Sequence, residues 1–531
     1  IPFRERESQL VPVLKLLKPV MTSIQPMAQA RIVGPPRKTN IAVLHLNEEV
    51  GIKTILKKNR SLKRPGDRSN RSLSSATPAS VSSIAFSSAS APPKSNWQGF
   101  LAILKSPINV LLVFVPLGIA SAYLPEDLHI FEVEKDAVVF WLNFIAMIPL
   151  ANLLGDATEE LAENLQNDML SGLLNATFGN AVELIMSIAF IRNYQFDILK
   201  ASMVGSVLSN MLLVLGMSFF FGGLQKQKQM VKSVDPNSQA LVAQETIKNK
   251  EQHFNVVGAL VNATLLLIAC FMLSLVTVFM LYLDERPGKL IQYKIYELEM
   301  SRYTSILIIF AYFAYLCFQL FTHSGLLSDD KPEGEEEDEG EEPALDTKSS
   351  CLLMLVVTIC VAFTSENLSD SLEAALRATY WTTEFLGVIV IPIIGNACEH
   401  VSAVRFAIDD RAGLAVGIAV GSSVQIALFV IPFTVLVGWV IHPDSNGCNM
   451  DLNFGLLHVV VLFTSVVVVL SIIMDGKSNW LAGYLLMTAY FIAAGLYFFV
   501  HTPPVGQPGE GCKPFKTIFN DKHHLSAQDG F

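Results

Sequence analysis

Two glutamates occupy matching positions in a duplicated motif, and each lies inside a strongly apolar stretch. The motif Gly-Asn-Ala-x-Glu ends at Glu183 and again, 216 residues later, at Glu399. An ionised carboxylate near the middle of a bilayer costs about 2.5 kcal/mol or more, so such residues are rarely placed there without a role. Two placements at matched positions therefore predict a paired functional site rather than two interhelical hydrogen bonds.

Other oxygen-bearing side chains accompany both glutamates. An asparagine precedes each glutamate by three residues and so lies on the same helix face. The offset of 216 residues also relates two serines on the following helices, where a small-residue packing seam is the alternative interpretation. Ca²⁺ prefers about six to eight oxygen ligands, and two carboxylates balance one divalent charge. The predicted metal ligands are Glu183, Glu399, Asn180, Asn396, Ser206, Ser422 and Gln425.

Three further polar residues are candidates for the cation or proton pathway. Acidic residues cluster around Glu160 and around Glu366, each near the end of an apolar run. Such clusters gather cations at the mouths of a pathway, whereas the alternative is a solvated helix end. His400 adjoins Glu399 but points about 100° away around the helix. It is a candidate proton relay or gate, with a satisfied polar contact as the alternative.

The apolar runs that carry these residues predict an all-α polytopic membrane protein. Of the 531 residues, 51 % are hydrophobic and 16 % are charged, and the mean hydropathy is +0.43. Soluble proteins carry about 25 % charged residues, so the composition excludes a disordered protein, a nucleic-acid binder and an ordinary cytosolic enzyme. Eleven runs are long enough to span a bilayer. They cover 107–124, 136–154, 170–192, 197–223, 256–283, 303–323, 350–369, 384–407, 413–441, 454–474 and 480–500.

The duplicated motif divides these spans into one extra first helix and two five-helix repeats. Because five is odd, the second repeat enters the membrane upside down, which is a transporter arrangement. The predicted segments are a disordered basic cytosolic tail (1–98), the extra helix (107–124), the first repeat (136–323), an acidic cytosolic linker (329–346), the second repeat (350–500) and a luminal C-terminal tail (501–531).

The distribution of Lys and Arg predicts the orientation. The tail 1–98 holds 16 basic and 5 acidic residues, which places the N-terminus in the cytosol by the positive-inside rule. The acidic block Asp329–Asp346 then lies in the cytosol and the C-terminus in the lumen. The loop 284–302 contradicts the rule, because its basic residues fall on the opposite side.

The sequence also predicts what drives transport, from the motifs that it lacks and from the two carboxylates. No P-loop, nucleophile elbow or HExxH motif occurs, so the sequence predicts neither an enzyme nor a cofactor. A bound Ca²⁺ keeps both carboxylates ionised, and protons neutralise them when the metal leaves. Because the two kinds of occupancy exclude each other, the pair predicts antiport of Ca²⁺ against H⁺.

At this point the motifs resemble a known family. The duplicated Gly-Asn-Ala-x-Glu, the Glu-His-Val-Ser-Ala of 399–403 and the Gly-Ser-Ser-Val-Gln-Ile of 421–426 resemble the cation/proton exchanger branch of the calcium/cation antiporter superfamily, with fungal vacuolar Ca²⁺/H⁺ exchangers as the nearest match. The resemblance implies eleven helices, an acidic cytosolic segment after the sixth and a multi-pass vacuolar protein. It also implies that Glu183 and Glu399 bind the cation, Ca²⁺ or Mn²⁺, with help from Asn180, Asn396, Ser422 and Gln425.

Two rival functions are consistent with parts of the pattern. A Na⁺-coupled Ca²⁺ exchanger belongs to the same class, but such relatives have extra acidic residues where this chain has Asn, Ser and Gln. A passive cation channel can also use glutamates, although two inverted halves with one paired site favour alternating access. The expected partners are Ca²⁺, H⁺ and the lipid bilayer, without nucleic acid.

Overall fold

The computed structural model describes residues 96–123, 125, 134–165, 168–224, 227–234, 241–248, 251–283, 290–323, 344–379, 381–443 and 449–500. Three predicted segments lie wholly or largely outside these residues. They are the basic tail 1–98, of which only the last three residues are described, the acidic linker 329–346, of which only 344–346 are described, and the C-terminal tail 501–531.

Helices make up nearly all of the described chain, and four short π-helical segments join or extend them. The helices of the first half are α1 Asn96–Leu104, α2 Phe114–Ser121, α3 Lys135–Leu165, α4 Asp168–Phe178, α5 Ala181–Arg192, α6 Phe196–Leu208, α7 Leu215–Leu224, α8 Val256–Tyr282 and α9 Leu290–Cys317. Those of the second half are α10 Thr347–Asp370, α11 Leu372–Thr379, α12 Thr383–Phe385, α13 Ile391–Gly395, α14 Ala397–Ile408, α15 Ala412–Gln425, α16 Ile431–Ile441, α17 Gly455–Ile473 and α18 Trp480–Phe499. A 3₁₀ segment, Pro107–Val113, precedes α2, and the π segments are Ser209–Val214, Phe318–Thr322, Leu386–Val390 and Ile426–Val430.

Within the described residues, eight helices are long and apolar enough to cross a membrane. The number rises to ten if each of two bent pairs, at 97–121 and at 372–395, forms one span. The difference from eleven arises largely at the duplicated motifs. The single spans predicted over 170–192 and 384–407 are each interrupted, because α4 ends before α5 begins and α13 ends before α14 begins.

Short strands modify the all-α prediction. The antiparallel hairpin of β1 (Gln227–Val234) and β2 (Leu241–Lys248) follows α7, and β3 (Gln252–His253) pairs with β4 (Lys477–Ser478). The Gln252 side chain donates hydrogen bonds to the Ala407 carbonyl, at 2.7 Å, and to Asp410, at 2.9 Å. The β3–β4 pair therefore fastens the connection before α8 to the end of α14.

The helix α9 begins well before its predicted apolar span at 303. Residues 290–302, which the sequence predicts as loop, continue the helix because their charges are paired within the fold. Glu297 is buried, contacts Lys294 at 2.8 Å and accepts a hydrogen bond from Asn453 at 2.6 Å. The Arg302 guanidinium lies 4.8 Å from the ring centre of Trp439, as expected for a cation–π contact. Two of the four basic residues that violate the positive-inside rule thus belong to this helix.

The helices α3 and α10 pack along each other through reciprocal contacts. Thr158 of α3 lies 3.8 Å from the sulfur of Met354, and Thr364 of α10 lies 3.6 Å from the sulfur of Met147. Both threonines also donate hydrogen bonds to carbonyls of their own helix. The long helix that opens each half therefore meets its counterpart in an equivalent way.

Gly205 and Gly421, which are also 216 residues apart, have different surroundings. A Cβ built on Gly205 of α6 would clash with the carbonyl oxygen of Val388 and lie 2.6 Å from the ring of Pro392. A Cβ on Gly421 of α15 would meet nothing within 4 Å. The backbone of α6 therefore lies directly against the segment that leads into α13.

We predict that Gly205→Ala lowers the free energy of unfolding by about 1–3 kcal/mol, because the methyl group forces two packed backbones apart. Gly421→Ala is the matched control and leaves stability unchanged or slightly raised, since alanine is the better helix former. Thermal unfolding of both variants in detergent measures the difference. Equal melting temperatures for the two variants would contradict the close approach at Gly205.

Candidate cation-binding site

Both glutamates lie just after a break between two half-helices. Asn180 joins α4 to α5 with φ −112° and ψ 24°, and Asn396 joins α13 to α14 with φ −89° and ψ 16°. Each asparagine therefore departs from helical geometry and lies near the bridge region of backbone conformation, where many functional-site residues are found. Glu183 and Glu399 then fall in the first turn of the following half-helix, where the helix dipole favours a negative charge.

The two carboxylates come together across the two halves of the chain. The Glu183 side chain is 1 % exposed, and its Oε1 lies 2.7 Å from the position of a Cβ on Gly395. The absence of a side chain at Gly395 therefore makes room for the carboxylate. Glu399 is half-buried and close enough to Glu183 for the two charges to repel each other.

Amide side chains brace this arrangement. Asn180 donates to the Gln425 side-chain oxygen at 2.7 Å, and Asn396 donates to the backbone carbonyl of Ser206 at 3.0 Å. Ser422 accepts a hydrogen bond from Asn210 at 3.0 Å and lies close enough to the Glu399 carboxylate to stabilise its charge. Each break is thus tied to a helix of the opposite half, and the two glutamates lie beside this network of hydrogen bonds. Ser206 enters it through its carbonyl oxygen.

Several oxygens in the network are buried without a hydrogen-bond partner within the described structure. Buried polar atoms usually find a partner, so a cluster of exceptions indicates a missing ligand. No described lysine or arginine acts on either carboxylate, so their negative charge is uncompensated within the described chain. Carboxylate and amide oxygens are the kind of ligand that a hard cation such as Ca²⁺ prefers. The unpartnered oxygens are Asn180 Oδ1, both carboxylate oxygens of Glu183, Asn210 Oδ1, Asn396 Oδ1 and Glu399 Oε2.

The donor set also limits the kind of cation. Among the described residues, no group of three or more His, Cys, Asp or Glu side chains is placed to hold a metal ion. The cluster instead offers two carboxylates with amide and hydroxyl oxygens. Hard oxygen donors suit Ca²⁺ or Mn²⁺ and disfavour a structural zinc site of nitrogen and sulfur ligands.

The structure adds Asn210, which the sequence did not single out. Asn210 is fully buried and lies four residues after Ser206. It is the second residue of the π segment Ser209–Val214. Its Nδ2 donates to Ser422 Oγ at 3.0 Å while its Oδ1 has no partner among the described residues. The sequence does contain a feature that could have identified Asn210: it is an amide residue inside an apolar run, one helical turn after the predicted ligand Ser206. π segments of this kind often occur at functional sites.

The three predicted pathway residues lie outside the cluster of unpartnered oxygens. Glu160 accepts a hydrogen bond from the Leu345 backbone at 3.0 Å, and Glu366 forms an ion pair with Arg192 at 3.2 Å. His400 Nδ1 contacts the Asn396 carbonyl, and its Nε2 is buried without a hydrogen-bond partner in the described structure. Their role in a pathway stays a prediction.

We predict that Asn210→Ala weakens cation binding about 10–100-fold, because it removes one oxygen and releases Ser422 from its position. Ser218→Ala is the control, since Ser218 lies on the same span and bonds only the Val214 carbonyl. Equilibrium binding of tracer Ca²⁺ to the purified variants measures the effect. Binding by Asn210→Ala that equals the control would remove this residue from the site.

Comparison with known proteins identifies a matching family and similar proteins. The model of a family described as "Sodium/calcium exchanger protein" matches residues 135–321 and 349–499, which include both motifs. A vacuolar cation/proton exchanger 2 of Oryza sativa subsp. japonica is 37 % identical over 431 residues, covering 80 % of this chain and 90 % of that protein.

A fungal protein and a solved structure are also similar. A vacuolar calcium ion transporter of Schizosaccharomyces pombe is 34 % identical over 397 residues, covering 75 % of this chain and 86 % of that protein. The solved structure of native YfkE is 31 % identical, with a TM-score of 0.56, and the match covers 74 % of this chain and 100 % of that chain.

Proposed function

The chain belongs to the sodium/calcium exchanger protein family, and from this premise we propose that it is a secondary active Ca²⁺/H⁺ antiporter rather than an enzyme. Ca²⁺ and H⁺ are its transported substrates, and no cofactor takes part. A similar plant protein is named a vacuolar cation/proton exchanger and a similar fungal protein a vacuolar calcium ion transporter, and both names support the proposal. The observation that carries the proposal is the pair of carboxylates, Glu183 and Glu399, that face each other without a described basic partner.

The proposed cycle moves cytosolic Ca²⁺ into the vacuole lumen. Ca²⁺ binds between the carboxylates of Glu183 and Glu399, and the amide and hydroxyl oxygens around them complete its coordination. After the site turns to the lumen, protons neutralise the carboxylates and release the metal. The protonated site then returns to the cytosol. Ca²⁺ and protons compete for the same charges, so each crosses only in exchange for the other. The supporting ligands are Asn180, Asn396, Ser206, Ser422, Gln425 and Asn210.

The proposed layout is a multi-pass vacuolar protein with eleven spans, one extra helix and two inverted five-helix repeats. In it, α4 and α5 count together as one broken span, as do α13 and α14. The matched breaks at Asn180 and Asn396 support this layout, as do the reciprocal contacts between α3 and α10. We place the N-terminus and the acidic linker in the cytosol and the C-terminus in the lumen. Glu160 then lies towards the cytosol and Glu366 towards the lumen.

The first test separates this proposal from its two rivals. Proteoliposomes with an acidic interior and a neutral medium are expected to take up tracer Ca²⁺, because internal protons displace the metal from the inward-turned site. An imposed Na⁺ gradient is expected to have no effect. Uptake that follows Na⁺ and ignores pH would favour a sodium-coupled exchanger. Uptake that ignores both gradients and follows the Ca²⁺ gradient would favour a channel.

The second test concerns the paired site. Glu183→Gln and Glu399→Gln are each expected to reduce pH-driven Ca²⁺ uptake to that of empty liposomes, because one carboxylate cannot balance a divalent ion. Asp197→Asn is the matched control, since this acid lies on the neighbouring helix α6 with its side chain 91 % exposed. Near-normal uptake by either glutamine variant would contradict the assignment of these two glutamates to the cation site. Size-exclusion profiles of the three variants check that the protein remains folded.

A further inference from the structure

We propose that Arg192 and Arg405 are the gates at the two ends of the transport pathway, each closing by pairing with acids of the opposite half. The inference rests on the proposed function, because a gate presupposes alternating access. We call the end of the bundle that holds Arg192 the first mouth and the end that holds Arg405 the second mouth.

The first mouth is closed by direct contacts between α5 and α10. The Arg192 guanidinium lies 3.2 and 3.3 Å from the two carboxylate oxygens of Glu366. Asn193 donates to Ser369 at 2.9 Å and to Asp370 at 2.6 Å. The half-helix that carries Glu183 is therefore fastened along its outer end to the long helix of the other half.

The second mouth has the same components without the contact. Arg405, on the half-helix that carries Glu399, is close enough to Asp156 and Glu159 of α3 to attract both carboxylates. No ion pair within 4.0 Å joins Arg405 to any acid in the part of the chain that the structure describes. Asp156 instead accepts a hydrogen bond from Asn152 at 2.9 Å.

The two half-helices end in the same way, and Arg192 and Arg405 each lie in the last turn of their half-helix, although at different positions within that turn. Tyr194 follows α5 with φ 56°, and Asp410 follows α14 with φ 66°, at the offset that relates Glu183 to Glu399. Both are non-glycine residues in the left-handed region, which is uncommon. A rearrangement that brings Arg405 onto α3 would give the second mouth the geometry that the first mouth has here.

The exposure of side chains around the site agrees with a closed first mouth and an open second mouth. Glu183 is 1 % exposed, whereas Glu399 and Ser422 are half-buried. Towards the first mouth Ser187 and Ser365 are each 1 % exposed, whereas towards the second mouth Ser402 is only half-buried. The structure therefore represents the state that is open at the second mouth, which the proposed orientation places in the cytosol.

An exposed ion pair suits a gate. The side chains of Arg192 and Glu366 are 58 % and 46 % exposed, and ion pairs this exposed contribute little to stability. Such a pair opens readily when the site empties or fills.

The native thiol of Cys398 reports on the second mouth without any need for transport. Cys398 precedes Glu399 and lies beside Gly155 of α3, where it is half-buried. We expect Arg192→Gln to slow labelling of Cys398 by a charged maleimide about threefold or more, because loss of one gate shifts the population towards closure of the other. Mass spectrometry of the peptide containing Cys398 distinguishes it from other cysteines.

Three variants complete the test. In Arg405→Gln, Cys398 is expected to be labelled at least as fast as in the parent. This variant is also expected to reduce the maximal rate of Ca²⁺ uptake without raising the half-saturating Ca²⁺ concentration. The exchange of charges in Arg192→Glu with Glu366→Arg is expected to restore parental labelling. Arg377→Gln is the control, because Arg377 forms an equally exposed ion pair with Glu134, at 3.2 Å, away from the site.

The outcomes separate the gates from the antiport. Equal labelling of Cys398 in the parent and in Arg192→Gln, or no labelling in the parent, overturns the gate assignment. A slowing that Arg377→Gln shares equally also overturns it. Parent proteoliposomes that show no pH-driven uptake, together with an intact labelling shift, would overturn the proposed function and leave the gates standing.

Discussion

The arrangement of this protein depends on two carboxylates that face each other in the interior of an apolar helix bundle. Burial of an unpaired charge is costly, and two like charges increase the cost. In most proteins a lysine or arginine offsets it, but no described basic side chain acts on Glu183 or Glu399. On the proposed function, a metal ion or protons supply the compensation that the described side chains do not. A site with this property is stable only when it is occupied.

The broken helices are the structural response to that constraint. Continuous helices would hold all their backbone groups in internal hydrogen bonds, whereas a break exposes the amide end of a new half-helix to the site. Both glutamates lie in the first turn of such a half-helix. The asparagines at the breaks then use their amide hydrogens to reach Gln425 and the Ser206 carbonyl, which leaves their oxygens for a cation. The break therefore lowers the cost of the charges and, on the proposed function, also supplies ligands.

The sequence predicted the parts of the site that are duplicated, because a repeated polar residue in an apolar run is conspicuous. The structure brings the glutamates, the asparagines, Ser422 and Gln425 into one cluster, and their role as cation ligands stays a prediction. The sequence prediction missed Asn210, since the offset of 216 residues leads from Asn210 to Ile426, which has no oxygen in its side chain. For the same reason it missed the two arginines, whose offset partners are Ile408 and Ala189.

The fold was predictable to a similar degree. The apolar runs located most of the long helices, but hydropathy cannot register a break of one or two residues or an ion-paired extension such as that of α9. Breaks depend on backbone conformation at Asn180 and Asn396, and the extension depends on tertiary partners of Glu297. Such features depend on contacts between segments far apart in the chain, which a local pattern does not contain.

Coupling follows from combining the buried charges with two mouths that do not open together. In the open state Glu399 is only half-buried, so part of its side chain meets solvent although its Oε2 is buried. Closing the second mouth around an empty site removes that solvent and leaves two uncompensated carboxylates between closed gates. That state is the least stable one in the cycle, because neither water nor a basic side chain stabilises the charge. A site filled by Ca²⁺ or by protons carries no such penalty and can close. On the proposed function, only loaded forms therefore change sides, and exchange results from the cost of closing an empty site.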